Sequence, residues 1–221
     1  MKNRFLNVQL YIWLSFVLLS LIFIFVPQID IFVSHLFYDG KTFPANHTFL
    51  EEFFYRSVQP MILLFAISSF LIFLYNTITK KSILNINAKV LLYLFLVLAV
   101  APGLIVNVVL KDNWGRPRPA QTIEFGGKMN FTPPFVIGKQ EGYSFPSGHS
   151  AAAFSLLGFA LLAKRRRKVW MNLAFSYGTL VSIARMSSGG HFLSDVVTSF
   201  FIVYIFTHIF YKLIFKEDSI A

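Results

Sequence analysis

The chain reads as an all-α polytopic membrane protein, a bundle of six transmembrane helices, and three features of its 221 residues point there. Apolar residues make up 56% of the sequence and Phe alone fills 27 positions. Charged residues reach only 14%, well below the roughly 25% of an ordinary soluble domain. The apolar residues also gather into six runs, each near the roughly 20 residues that cross a bilayer as a helix. No internal repeat or long low-complexity linker interrupts them, so residues 1–221 are expected to form a single domain.

The first run covers residues 8–26. Lys2 and Arg4 precede it in the manner of a secretory signal peptide, but it is longer than an h-region and lacks a small-residue cleavage site, so it is expected to remain as an anchor. Between it and the second run, residues 31–55 hold Phe37, Tyr38, Phe43, Phe49, Phe53, Phe54 and Tyr55. Amphipathic rings favour the headgroup zone, so this stretch reads as a membrane-interface helix, or more sharply as a wall for a lipid. The second to sixth runs cover residues 57–75, 90–110, 146–163, 169–186 and 194–214.

Six spans put both termini on one side. That side collects Lys2, Arg4, Lys80, Lys81, Lys89, the run Lys164 to Lys168, Lys212 and Lys216, which is 12 of the 20 cations. The other side holds 8 cations and 8 of the 10 acids and is near neutral. The positive-inside rule then makes both termini cytoplasmic. The Lys164 to Lys168 run is most simply a stop in a short cytoplasmic turn.

A formal charge of +10 could suggest nucleic acid. Basic nucleic-acid binders, however, present their cations as a stripe on a soluble surface, whereas these sit between apolar runs. No nucleic-acid partner is expected. Cysteine is absent, which excludes a disulfide framework, a cysteine nucleophile and thiolate metal sites.

Three polar segments stand out, all expected at the non-cytoplasmic ends of spans three to six. The first runs from Lys111 through Trp114, Gly115, Arg116 and Pro117 to Arg118 and Pro119, with prolines that stop the helix from continuing. The second runs from Ser144 to His149. Here Ser144 could cap a helix, Pro146 suits its first turn, Gly148 permits close approach of backbone to a ligand, and the amides of Ser147, Gly148 and His149 would point out of the positive end. The third holds Arg185, Gly189, Gly190, His191 and Asp195. If a helix begins near His191, then His191 and Asp195 share one face at i and i+4, and the carboxylate can fix one imidazole nitrogen while the other stays free to attack. Lys111, Arg118 and Arg185 would together repel one another at one membrane depth, and a phosphate group is their natural counter-ion. His35, His47 and His208 lack such company and read as structural or interfacial.

These segments, Lys111 with Arg118-Pro119, Pro146 to His149, and Arg185 with His191 and Asp195, resemble the three signature motifs of the type 2 phosphatidic acid phosphatase superfamily. The resemblance covers most of the chain, and a match of three motifs in order is highly specific. It departs at Ala184, where the family's third motif usually has Ser; the lost hydroxyl is expected to be tolerated. The resemblance implies the six-helix bundle of that family and a metal-independent lipid phosphatase with no cofactor. It implies that His191 attacks phosphorus to form a phosphohistidine, that Asp195 orients His191, and that His149 serves as acid and then base. Lys111, Arg118 and Arg185, with Ser147 and the Gly148 amide, would hold the phosphate oxygens. The stretch from Trp114 to Pro119 and the loop from Phe131 to Phe135 look like those of bacterial lipid A phosphatases of the 4′ type, with Arg116 and Lys128 adding cations for a multiply charged glycolipid.

The expected partners are thus a phospholipid or glycolipid phosphate and the surrounding membrane lipids, with no obligate protein partner. The expected location is a bacterial inner membrane with the site facing the periplasm. Phosphatidylglycerophosphate and undecaprenyl diphosphate phosphatases share the motifs and remain alternatives. An anionic-lipid transporter is a different class, but transporters place polar groups near the midplane rather than at one surface. Vanadate haloperoxidases share the pocket but are soluble.

Overall fold

In the computed structural model, residues 4–6 and 8–215 are described. Lys2 and Lys216, two of the cations counted on the terminal side, lie outside the described residues. Among the described residues the chain is helical apart from loops and one short antiparallel strand pair, β1 (Arg4–Phe5) and β2 (Val8–Gln9). Helix α1 (Leu10–Phe25) and α2 (Gln28–His35) meet at 87°. Pro27 sits at the break, where its missing N–H ends one ladder and its fixed φ starts the next.

Helix α3 (Phe49–Thr79) begins well before the expected second span, because Thr48 caps it and Glu51 and Glu52 complement the positive end of its dipole. The expected interface helix over residues 31–55 is therefore not one element. Its second part is about the first two turns of α3, and Glu51 and Tyr55 acquire a fixed helical register.

Helix α4 (Ala88–Trp114) is capped by Asn87 and changes hydrogen-bond pattern along its length. From Ala99 to Lys111 it is π-helical. Pro102 lies in that stretch, donates no hydrogen bond and crowds the carbonyl four residues back, which a wider turn relieves. Asn107 Nδ2 donates to the Pro102 carbonyl at 2.7 Å. Helix α5 (Gly148–Leu161) is interrupted at Ser155, α6 spans Arg167–Ser187, and α7 spans Leu193–Phe215.

Most of each of the six expected runs is helical, the first entering helix only at Leu10 after β2. By length and composition α3, α4 and α7 can cross a membrane, and α1 with α2 adds a fourth if that bent pair is one broken span. Helix α5 is shorter than the expected run, and α6, at 21 residues, carries Arg167, Lys168 and Arg185 and is less apolar.

Packing gives the bundle two distinct ends. At one, Tyr93 and Val97 of α4 pack with Leu161 of α5 and Tyr211 of α7, next to the lysine-rich turns. At the other lie the start of α3, the end of α4, the start of α5, the end of α6 and the start of α7. The middle is filled by Val106, Ala151, Phe154, Leu157 and Val203.

The stretch between α4 and α5 is ordered by its own contacts. The Gln140 side chain bonds the Asn130 backbone in both directions, at 2.9 and 2.8 Å. Phe125 packs with Phe43 and Phe192. The Ala120 amide donates to the Gly189 carbonyl at 3.1 Å, tying this loop to the turn before α7.

Candidate active site

The site end of the bundle gathers the three polar segments that the sequence places far apart. The start of α5 is capped by Ser147, whose Oγ accepts from the Ser150 amide and donates to Ser150 Oγ at 2.9 Å. The cap is therefore Ser147 rather than Ser144, and Pro146 precedes the helix instead of lying in its first turn. Ser147 is fully buried and its amide donates to the Asp195 carbonyl at 3.3 Å. Of the three amides expected to face a ligand, the Ser147 amide is already used and its hydroxyl works as a cap. The amides of Gly148 and His149, the first two of the helix, have no intrahelical acceptor.

Gly148 is required here for space. A methyl group on it would overlap Asn107 Oδ1, and Lys111 Nζ lies 3.5 Å from where it would stand. Asn107, Lys111, Gly148 and His149 line a cavity of about 280 Å³ whose other walls include Val58, Ile62 and Ala152. Asn107 was not singled out in the sequence, since a lone amide in an apolar run carries no pattern.

His191 is buried and lies two residues before α7, in the turn that Gly189 makes at φ +67°. Its Nδ1 donates to the Ser144 carbonyl at 2.8 Å. Asp195 Oδ2 stands 3.5 Å from the same nitrogen. The carboxylate is therefore not the direct acceptor that an i,i+4 pair on one helix would make it. Asp195 occupies the third position of α7 and reaches back to the Phe192 amide at 2.8 Å, as in a capping box. It also accepts from Ser144 Oγ, so Asp195 holds the residue whose carbonyl holds His191. In either route Nδ1 keeps its proton and Nε2 is left without one.

Burial pushes the His191 imidazole down to about 4, and the charges of Arg185 and Lys111 act in the same direction, while Asp195 opposes them. His191 is neutral near pH 7. An unfolded chain would take up that proton near the ordinary value of 6.5, so stability falls as pH drops from about 6.5 toward 4. Between pH 7 and 5 the wild type should lose about 2 kcal/mol relative to His191→Gln, which has nothing to protonate there. Thermal unfolding of both proteins in detergent across that range reads the difference. Parallel pH profiles would contradict it.

Arg116, expected as a surface cation for a charged ligand, is fully buried. Its Nη1 pairs with Asp195 Oδ1 and donates to Ser194 Oγ at 2.8 Å, its Nη2 pairs with Asp30 Oδ2 at 2.8 Å, and its Nε donates to the Thr132 carbonyl at 2.9 Å. Its guanidinium carbon lies 4.4 Å from the Phe192 ring centroid. Two carboxylates a long way apart in sequence claim this cation, so it cannot face a ligand. Asp30 of α2 is thereby a second residue the sequence reading missed. Its signal was an acid alone in a strongly apolar stretch.

Arg185, at the end of α6, donates through Nη1 to Glu51 Oε1 at 2.7 Å and lies 4.7 Å from the Tyr55 ring. Its Nε is buried without a hydrogen-bond partner. Tyr55 also stacks on His149, with centroids 4.3 Å apart and planes 27° off parallel. Arg118 is partly buried, and its charge bears on Lys111, Arg185 and His149. Lys111, Arg118, Arg185, His149 and His191 are therefore brought together. Lys128 is exposed on the loop.

His35 packs against Phe125 at 4.7 Å, His47 lies 3.7 Å from Glu52, and His208 stacks on Tyr204. None belongs to the site. Among the described residues, no three His, Cys, Asp or Glu side chains form a group that could hold a metal ion. The acids of the site, Asp30, Asp195 and Glu51, are each committed to an arginine.

A family model described as the PAP2 superfamily matches residues 89–219. Three curated relatives are each described as a lipid A 4′-phosphatase. The one from Francisella tularensis subsp. novicida (strain U112) is 34% identical over 212 residues, 89% of this chain and 91% of its own. That from Rhizobium leguminosarum is 32% identical over 86% of this chain and 88% of its own. That from Rhizobium etli is 32% identical over 88% of this chain and 82% of its own. No solved structure matches.

Proposed function

Since the chain belongs to the PAP2 superfamily, we propose that it is a membrane lipid phosphatase that removes a phosphate monoester from lipid A, at the 4′ position in preference to the 1 position. The observation that carries the substrate reading is the shared description of three relatives, each aligned over more than four-fifths of both chains. The site's chemistry supports the reaction class. A neutral, buried imidazole with one nitrogen unprotonated stands among three cations, one of which has a buried donor still unpartnered.

In this reading His191 Nε2 attacks phosphorus in line while Nδ1 keeps its proton, hydrogen-bonded to the Ser144 carbonyl. The P–O bond to the lipid breaks, and His149, which takes up a proton when the negatively charged phosphate enters beside it, gives that proton to the departing alkoxide. His149 then takes a proton from water, whose oxygen displaces His191 from phosphorus and releases inorganic phosphate. Lys111, Arg118 and Arg185, with the Gly148 amide, hold the equatorial oxygens as charge builds. Ser147 contributes through its buried hydroxyl, which caps and holds the start of α5 rather than binding phosphate. Asp195 contributes by fixing Ser144 and, through it, His191.

The site end lies opposite the lysine-rich turns. With the positive-inside rule this supports cytoplasmic termini and a periplasmic site in a bacterial inner membrane. The cavity walls of Val58, Ile62 and Ala152 suit the apolar part of a lipid next to its phosphate.

Purified protein in detergent, offered lipid A, phosphatidylglycerophosphate and undecaprenyl diphosphate separately, tests the assignment by phosphate release. Lipid A should be hydrolysed fastest, losing the phosphate of the distal sugar. Equal rates on all three lipids would remove the lipid A preference, and no release from any would remove the enzyme reading.

A further inference from the structure

The family-matched segment starts at residue 89, yet two of the groups in contact with the site come from α3, well before it. Glu51 and Tyr55 are one helical turn apart at the start of α3, so they project from one face. Glu51 is buried and bonds Arg185 Nη1 at 2.7 Å, and Ser188 Oγ accepts from the same nitrogen at 3.3 Å. A guanidinium can offer an oxyanion either the edge between its two terminal nitrogens or the edge that includes Nε. With Nη1 committed, the edge with Nε remains, and Nε is the buried donor without a partner. Tyr55 meanwhile touches both groups that would flank the phosphate, the Arg185 guanidinium at 4.7 Å and the His149 ring at 4.3 Å.

We propose that Glu51 and Tyr55 are positioning residues of the phosphate site: Glu51 selects the edge of Arg185 that grips the anion, and Tyr55 holds the planes of Arg185 and His149 relative to each other. The inference rests on reading Arg185 as a phosphate ligand and His149 as the acid and base. It also assigns Glu51 a second effect. The carboxylate compensates Arg185 while the site is empty, and it repels a bound phosphate that shares the same guanidinium. Product phosphate is thereby held less tightly and leaves faster.

The experiment measures kcat, KM for the lipid, the inhibition constant of inorganic phosphate and the thermal midpoint for Glu51→Gln, Tyr55→Leu, Tyr55→Phe and Arg185→Ala in detergent. Glu51→Gln keeps an acceptor for Nη1 but removes the charge, so inorganic phosphate should inhibit about tenfold more tightly. Tyr55→Leu should lower kcat by roughly tenfold to a hundredfold with KM changed by less than about threefold, and Tyr55→Phe should recover most of that loss. A purely structural role predicts the opposite pattern, a lowered thermal midpoint with the inhibition constant unmoved. Unchanged or weaker phosphate inhibition in Glu51→Gln overturns the proposal, as does equal activity of the Leu and Phe variants. Tyr55 is 38% exposed, so its two variants decide the matter if Glu51→Gln does not accumulate. If Arg185→Ala itself leaves phosphate inhibition unchanged, the reading of the site fails, and not the positioning role alone.

Discussion

With His191 as the proposed nucleophile, its replacement by alanine should abolish the phosphoenzyme and lower turnover by about five to six orders of magnitude, the scale seen when a nucleophile is removed from a unit that acts together. The expectation follows from a proton held in place. Nδ1 keeps its proton and donates it in a hydrogen bond to the Ser144 carbonyl at 2.8 Å, burial keeps the ring neutral, and the remaining nitrogen has its lone pair free. His149→Ala should behave differently. An aryl phosphate has a leaving group that needs no proton, so the first step survives with it while the second, which needs a base toward water, does not. Labelled phosphate should then accumulate on the His149→Ala protein and be missing from His191→Ala. The reverse distribution of label would exchange the two roles.

Arg116→Ala should cost about 3–5 kcal/mol of stability, the usual penalty for breaking a buried ion pair by removing one partner. Here the penalty is compounded, because Asp30 and Asp195 would both be left buried without a counter-charge, and Ser194 and the Thr132 carbonyl would each lose a donor. Arg116→Lys restores the charge but not the planar fork that serves four acceptors at once, and it should remain impaired. Activity should fall along with stability, since Asp195 holds Ser144 and Ser144 holds His191. A double-mutant cycle of Arg116→Met with Asp30→Asn separates the pair from the rest of the network and should show coupling of at least about 1 kcal/mol. Unfolding in detergent within about 0.5 kcal/mol of wild type for Arg116→Ala, the range of an ordinary surface change, would contradict the network's importance.

Arg116 also shows what local sequence does not determine. It stands among Lys111, Arg118 and two prolines, and a cation in such a loop looks like a ligand for an anion. Nothing local distinguishes it from Arg118. The difference comes from Asp30, which is 86 residues away, and Asp195, 79 residues away. The error at Ser144 is of the same kind. A Ser three positions before another Ser suits a helix cap as well as its neighbour does, and the choice was made by Asp195 accepting the Ser144 hydroxyl. Tyr55 reads as one of a set of interfacial aromatics, and Glu51 carries no signal, because α3 starts at Phe49 behind the Thr48 cap, well before the hydropathy boundary.

What the linear order of residues determined alone is what depends on near neighbours and on bulk composition. The apolar runs became helices, the lysine-rich turns fell at one end, and Lys111, Arg118, His149, Arg185 and His191 were recognisable as a constellation from their spacing within three short segments. Only the tertiary structure decided which cation pairs with which acid, which nitrogen of His191 is held, and that α3 and α2 contribute to the site at all. The physical reason is that helix formation and membrane partition are set within a few turns of chain, whereas the partner of a buried charge is whichever opposite charge the packing brings to it, at any separation in sequence.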